Sequence, residues 1–402
     1  RRELMKILEN GICSISSIKA SGYREGKYGV TVLYHENSTA AAVYTTNKVY
    51  AAPIDITRKH LENGKISAVI VNSGNANCYT KEDGIKKGLE LASIVADTLN
   101  IPVEDVAVAS TGVIGRQMPM DIIKPVAIES LKRLDNSREC ANDACNAILT
   151  TDTTPKECAI ESTLDDGTKF KVAGICKGSG MIAPNMGTML GFITTDLDVS
   201  RDILQEALLS SVKRSFNMVV VDGDESTNDT VLVMSTNEVK GEYDNNFQEA
   251  LDYVCMSLAK QIAKDGEGAS KFMEVVCNGA KSEEDAICVS KSVVSSSLVK
   301  TALAGADPNW GRIICAMGYS GVEFDPDCVS ISIGSGSENV VIVDKGNITT
   351  YANPEILEAA EVIMNKKEVV IKLDLHDGCY SATAYGCDLT YDYVKINAEY
   401  TT

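Results

Sequence analysis

Histidine is scarce in this chain of 402 residues, which holds only His35, His60 and His376. A Ser-His-Asp hydrolase must recruit one of these as its base, and no G-x-S-x-G elbow supplies the serine. The H-E-x-x-H zinc motif and the phosphate-cradling G-x-x-x-x-G-K-[ST] loop are also missing. There is no C-x-x-C pair among the 13 scattered cysteines, so zinc-ribbon and thioredoxin-like readings have no support. The cysteines read instead as buried reduced thiols acting as small hydrophobes, which fits a cytoplasmic location. No apolar run approaches the ~20 residues a membrane span needs, and Arg1-Arg2-Glu3-Leu4-Met5 does not read as a secretory signal. Basic residues are outnumbered, 38 Lys and Arg against 56 Asp and Glu for a net charge of −18. That balance excludes a binder of nucleic-acid backbones.

What is present is an ordinary globular composition, 44% hydrophobic and 23% charged, with strands and helices alternating. Strands are expected at 66–71, 106–109, 189–193, 218–221, 231–234, 339–343 and 368–374, with 218–221 opening into 222–229 and returning as 231–234. Helices are expected near 201–214, 247–264 and 354–365, and Ile85, Leu89, Ile94 and Leu99 keep helical spacing after the polar loop Asn72-Ser-Gly-Asn-Ala-Asn77. The pattern implies an α/β or α+β protein, with a polar boundary at 278–285 before a smaller C-terminal α+β lobe over 286–402. Alternation in Leu389-Thr-Tyr-Asp-Tyr-Val-Lys-Ile396 suits one more strand.

The most informative segment is Cys176-Lys-Gly-Ser-Gly-Met-Ile-Ala-Pro-Asn-Met-Gly-Thr-Met-Leu-Gly-Phe192. Each glycine costs a regular element roughly 0.5–1 kcal/mol, so the segment reads as a constrained loop entering a strand. By composition alone it could equally be packing between domains. The whole string, however, resembles the self-cleavage site of the ornithine acetyltransferase family, the glutamate N-acetyltransferases of arginine biosynthesis. Further segments match in order: Asn72–Asn77, Ser110-Thr-Gly-Val-Ile-Gly115, Leu149-Thr-Thr-Asp-Thr153, Asp222-Gly-Asp-Glu-Ser-Thr-Asn-Asp229, Gly305-Ala-Asp-Pro-Asn-Trp-Gly-Arg312 and Ile396-Asn-Ala-Glu-Tyr400. The resemblance spans nearly the whole chain.

The chemistry of a Gly187–Thr188 cut can be argued from the residues. A threonine hydroxyl needs a neighbouring base, and an N-terminal threonine carries its own in the α-amino group, which titrates near 7.7–8.0, about the working pH. An internal Thr188 gains that amine only once the preceding peptide bond breaks. The simplest route is attack of its hydroxyl on the Gly187 carbonyl, an N→O acyl shift, then ester hydrolysis. The family usually has Ala before this threonine, and Gly187 stands there in this chain.

The resemblance implies the remaining roles. Thr111 and Gly112 stabilise the oxyanion, while Thr151, Lys177, Thr188, Glu267, Asn397 and Thr402 bind substrate, with Thr150 and Thr153 as alternatives to Thr151. Taken bare, Glu267 in Asp265-Gly-Glu-Gly-Ala-Ser-Lys271 is a helix C-cap and exposed turn, and Asp222–Glu225 reads as structural. The implied fold is a layered α-β-β-α sandwich similar to N-terminal nucleophile hydrolases but differently connected. The implied reaction moves an acetyl group from N2-acetylornithine to glutamate through acetyl-Thr188, without metal or bound organic cofactor. The residues leave open whether acetyl-CoA is a second donor. The implied assembly is a heterotetramer of two alpha (1–187) and two beta (188–402) chains, the latter completing the main domain over 188–285. A self-processing N-terminal-threonine aminopeptidase or amidase, passing the acyl group to water, is the alternative.

Overall fold

The computed structural model describes residues 5–183 and 189–399, so the expectations for Gly187, Thr188 and Thr402 fall outside the described residues. The described strands form a nine-stranded and a seven-stranded sheet, both mixed in direction. Strand Tyr28–Tyr44 is the hinge of the larger one. Its register shifts between Tyr34 and Ser38, where Asn37 adopts a left-handed φ of 60° that an asparagine tolerates. Before the shift it pairs with Lys19–Glu25 and most of Lys65–Asn75; after it, Ser38 and Thr39 still meet Ile66 and Lys65, and Thr39–Tyr44 pairs with Thr230–Val239.

The sheet thus turns back on itself, and one apolar core fills the space between its halves. Val69, Val71 and Ala109 from one half meet Ile175, Phe192 and Leu232 from the other. Burying each larger side chain contributes roughly 1.5–3 kcal/mol. On one outer face Ala68, Ile70 and Val108 pack against helices Lys81–Leu99 and Met120–Lys132 through Leu91, Val95 and Val126. On the other, Ile193, Val231 and Val233 pack against helices Arg201–Arg214 and Asn245–Lys264 through Leu204, Leu208 and Leu258. Helix, sheet, sheet, helix is the layered α-β-β-α order expected.

Helix Asn245–Lys264 also joins the second sheet, whose core residues Met273, Ile371 and Ala384 belong to the same apolar cluster. The stretch 278–285 holds the end of strand Phe272–Ala280 and the start of helix Glu283–Ser295. Among the described residues no single helix is long and apolar enough to cross a membrane.

Two local expectations are corrected, and one is borne out with a different buried face. Val219–Val220 is a two-residue strand, and it pairs with Tyr380–Cys387 of the second sheet while Thr230–Val239 lies in the first. The run 222–229 between them is therefore a crossing from one sheet to the other, not a return within one. Helix Lys81–Leu99 bears out the helical spacing read there: its buried face is Gly84, Gly88, Leu91, Ala92 and Val95, with Ile85, Ile94 and Leu99 half-buried and Leu89 exposed. Small residues win there because Gly88 lies against Ile56, where a Cβ would come within 2.5 Å of the Ile56 methyl. Among the cysteines, Cys13, Cys145 and Cys255 are buried, but Cys315, Cys328 and Cys379 are exposed.

Candidate active site

The parallel strands Lys65–Asn75 and Val106–Val113 end side by side. Ser110 donates its hydroxyl to Asn72 Oδ1 at 2.5 Å, and Asn72 Nδ2 donates to the Asn75 carbonyl at 2.8 Å. These bonds satisfy the backbone where the ladder becomes irregular around Gly74 and Asn75. Gly112 has φ +132°, and a Cβ there would sit 2.4 Å from the Gly74 carbonyl carbon and 2.5 Å from the Asn75 nitrogen. Only glycine fits this crossing, so its presence has a steric cause.

Strand Lys169–Lys177 delivers Lys177, 2% exposed, to the same place. Its Nζ lies 3.5 Å from Thr111 Oγ1 and 3.7 Å from Asp152 Oδ2. Asp152 Oδ1 accepts from Lys156 Nζ at 2.8 Å and from the Gly178 amide at 2.7 Å. Asp265 accepts from Lys156 at 2.5 Å and holds both the amide and the hydroxyl of Thr153. Two lysines and two aspartates thus share one buried network. Burial would push the Asp152 carboxyl up, but Lys177 and Lys156 outweigh it and hold the group well below the ordinary carboxylate range. Burial likewise disfavours the Lys156 ammonium, and Asp152 reverses that, raising it.

Glu267 follows helix Asn245–Lys264, borders the same cavity and is 9% exposed, not the exposed turn that its flanking glycines suggest. Its amide donates to the Ser179 carbonyl at 3.0 Å. Gly180 lies so close that a Cβ there would meet the Glu267 carboxylate at 2.3 Å. Asn397 Nδ2 donates to Glu267 Oε2 at 2.8 Å.

Asn397 comes from helix Tyr391–Glu399, which corrects the expected 389–396 strand. Thr390 Oγ1 accepts the Asp392 amide at 3.2 Å, as an N-cap does, and donates to the Gly268 carbonyl at 2.6 Å. The cap turns the chain into a helix, and the i, i+4 spacing then puts Tyr393 and Asn397 on the same face. Both line the cavity.

The crossing segment 222–229 closes the site. Asp222 accepts the Met181 amide at 2.7 Å and the Ile182 amide at 3.0 Å, while burial pushes its carboxyl up. Asn228 Nδ2 donates to the carbonyls of Ala76 and Ser110 at 2.7 and 2.8 Å. Asp229 Oδ1 accepts the Met189 amide at 2.8 Å. The structural reading of Asp222–Glu225 omitted that Asp222 and Asp224 also line the cavity.

The resulting cavity is about 430 Å³. Thr111, Gly112, Thr151, Lys177, Glu267 and Asn397 all border it, and so does Thr150, whereas Thr153 faces Asp265. Asp152, Asn228 and Asp229 are functional candidates that the sequence reading missed. Single polar residues in polar loops look solvated until the fold buries them, and their only sequence signal was position inside the matched segments.

A cation, a threonine–glycine turn and carboxylates lining one cavity suit acyl transfer involving a small amino acid bearing both charges. The chain belongs to the ArgJ family, whose model matches residues 15–402. It is 51% identical to the glutamate N-acetyltransferase of Methanothermobacter thermautotrophicus, with 99% of each chain covered. It is 47% identical to that of Methanocaldococcus jannaschii, over 99% of this chain and 100% of the relative. A crystal structure of the arginine biosynthesis bifunctional protein argJ from Bacillus halodurans is 43% identical, covering 52% of this chain and 97% of its own, with a TM-score of 0.47.

Proposed function

We propose that this chain moves an acetyl group from N2-acetylornithine to glutamate through an ester on Thr188, after cutting itself between Gly187 and Thr188. At the coarser level it is a glutamate N-acetyltransferase of arginine biosynthesis, an acyltransferase of the ArgJ family. One observation supports the finer reading most: the cavity is lined both by Lys177 beside Thr111 and Gly112 and by Glu267 with Asn397. An α-carboxylate and an ammonium group need partners of those opposite signs.

In the first half-reaction the Thr188 hydroxyl adds to the acetyl carbonyl, and its own α-amine, freed by cleavage, takes the hydroxyl proton. Thr111 and Gly112 hold the oxyanion of the tetrahedral intermediate, ornithine leaves, and acetyl-Thr188 remains. Glutamate then enters the same cavity, and its amine attacks the ester by the reverse path. Lys177 and Thr151 contact one end of each substrate, Glu267 and Asn397 the other, and Thr402 completes the contacts. The strand Leu190–Leu197 pairs with Lys169–Lys177 on one side and Thr230–Val239 on the other. This pairing would keep fragments 1–187 and 188–402 together after the cut, as two alpha and two beta chains in the assembled enzyme.

The test incubates purified protein with acetylornithine and glutamate, with acetyl-CoA and glutamate, and with each donor alone. N-acetylglutamate from acetylornithine is expected. Product in the acetyl-CoA arm adds the second donor. Steady hydrolysis without an amine acceptor would instead assign an aminopeptidase or amidase.

A further inference from the structure

Helix Tyr391–Glu399 borders the cavity through Tyr393 and Asn397 yet buries none of its own side chains, and Tyr391 and Val394 are 95% and 62% exposed. An element with so little buried apolar surface is held by specific bonds rather than by the hydrophobic effect. Its backbone rests on Gly268, where φ is +68° and a Cβ would come within 2.4 Å of the Tyr393 nitrogen. Two side chains then reach carboxylates on different segments of the cavity. Asn397 Nδ2 donates to Glu267 Oε2 at 2.8 Å and to the Tyr393 carbonyl at 3.1 Å. The Tyr393 hydroxyl is hydrogen-bonded to Asp222. Asp222 is itself tied to the main chain, accepting the amides of Met181, Ile182 and Asp224 at 2.7, 3.0 and 3.2 Å. Met181 has φ +56°, a left-handed conformation that is uncommon for a methionine and is fixed by these bonds.

We infer that Tyr393 is a positioning residue for substrate binding: its bond to Asp222 seats the helix so that Asn397 meets Glu267. The inference rests on the substrate contacts proposed above for Glu267 and Asn397, and it adds the residue that sets them. The link is short. The Tyr393 carbonyl accepts from the same Asn397 nitrogen that reaches Glu267, and the i, i+4 spacing makes the two residues move together. Asn397 in turn occupies one oxygen of the Glu267 carboxylate and so fixes its orientation. Burial and the neighbouring Asp222 charge both push the Tyr393 hydroxyl up, so it keeps its proton and donates. The oxyanion turn is braced separately, by Asn228 at the Ser110 carbonyl and by Asn72 at the Ser110 hydroxyl. Loss of the Tyr393 hydroxyl therefore weakens binding and spares the chemical step.

Isothermal titration with glutamate and with ornithine measures Kd for wild type, Tyr393→Phe, Asn397→Ala and the double variant. Steady-state KM and kcat and thermal melting are read beside it. Phenylalanine keeps the ring and removes only the hydroxyl. The expected result for Tyr393→Phe is an unchanged melting temperature and kcat, with Kd and KM raised about 10-fold, as for loss of one hydrogen bond to a charged group. The double variant should bind no more weakly than Asn397→Ala alone, because both changes act on one contact. Wild-type Kd in Tyr393→Phe would overturn the proposal. So would losses that add in the double variant, or a wild type that binds neither amino acid. A wild type that binds both but moves no acetyl group from acetylornithine would instead fail the reading proposed above, while the binding comparison still decides the role of Tyr393.

Discussion

The side-chain amide of Asn228 donates to the main-chain carbonyl of Ser110 at 2.8 Å. Ser110 immediately precedes Thr111 and Gly112, and Asn228 immediately precedes Asp229, which holds Met189. Together the two hydrogen bonds tie the turn assigned to the oxyanion to the residue that follows Thr188. Catalysis by prearranged donors depends on such fixed spacing.

Asn228→Ala removes the bonds to both Ser110 and Ala76 and leaves two buried carbonyls unpaired. At about 1–3 kcal/mol for each unsatisfied group, thermal melting should fall clearly. Kinetics should show kcat dropping by more than KM rises, because the cavity's charged walls remain. An unchanged kcat would separate the two loops functionally.

Gly112→Ala places a methyl group 2.4 Å from the Gly74 carbonyl carbon at a φ that side chains resist. Moving one oxyanion donor out of line should lower kcat by roughly 10²–10³ with little change in substrate affinity. Gly112→Pro, whose ring fixes φ near −65°, should be at least as severe. Steady-state kinetics on folded protein checks both.

Asp152→Asn should destabilise the fold by about 3–5 kcal/mol, since it leaves Lys156 and Lys177 in the interior with one fewer countercharge. The pH dependence has a definite sign. Because the folded Asp152 carboxyl is held below its ordinary value of 3.8, its contribution is present above that pH and lost as pH falls further through the depressed folded value. Acid melting curves of wild type and Asp152→Asn should therefore converge below about pH 4.

Removal of residues 397–402 takes away the partner of Glu267 Oε2 and should raise KM for acetylornithine and glutamate sharply. Self-cleavage and the apolar core, which the final helix does not enter, should be largely intact. Kinetics identical to wild type would show that the helix only caps the surface.

Much of this was legible in the sequence, for reasons that differ by element. Strand 368–374 and helix 201–214 have the bounds their patterning indicates, because period and core face agree there. Gly112 was legible only through the family resemblance, as an oxyanion residue, and its close crossing with Gly74 emerges only once the two strands pair. Helix Tyr391–Glu399 was misread because alternation over eight residues looked like a strand, although Thr390 ahead of Asp392 offered an N-cap. Asp152 could not be recognised alone. Its meaning comes from Lys177 and Lys156, and only the sheet brings Lys177 to it. The same holds for 222–229, where local pattern suggested a simple return and sheet pairing made a crossing that lines the site.

The acetyl-Thr188 ester is the centre of the account, and intact-mass spectrometry tests it most directly. Purified protein incubated with acetylornithine and no glutamate should show the fragment beginning at Thr188 gaining the mass of one acetyl group, which glutamate then discharges as N-acetylglutamate. An uncut chain, or a cut fragment that never gains the acetyl group while product still forms, would contradict it.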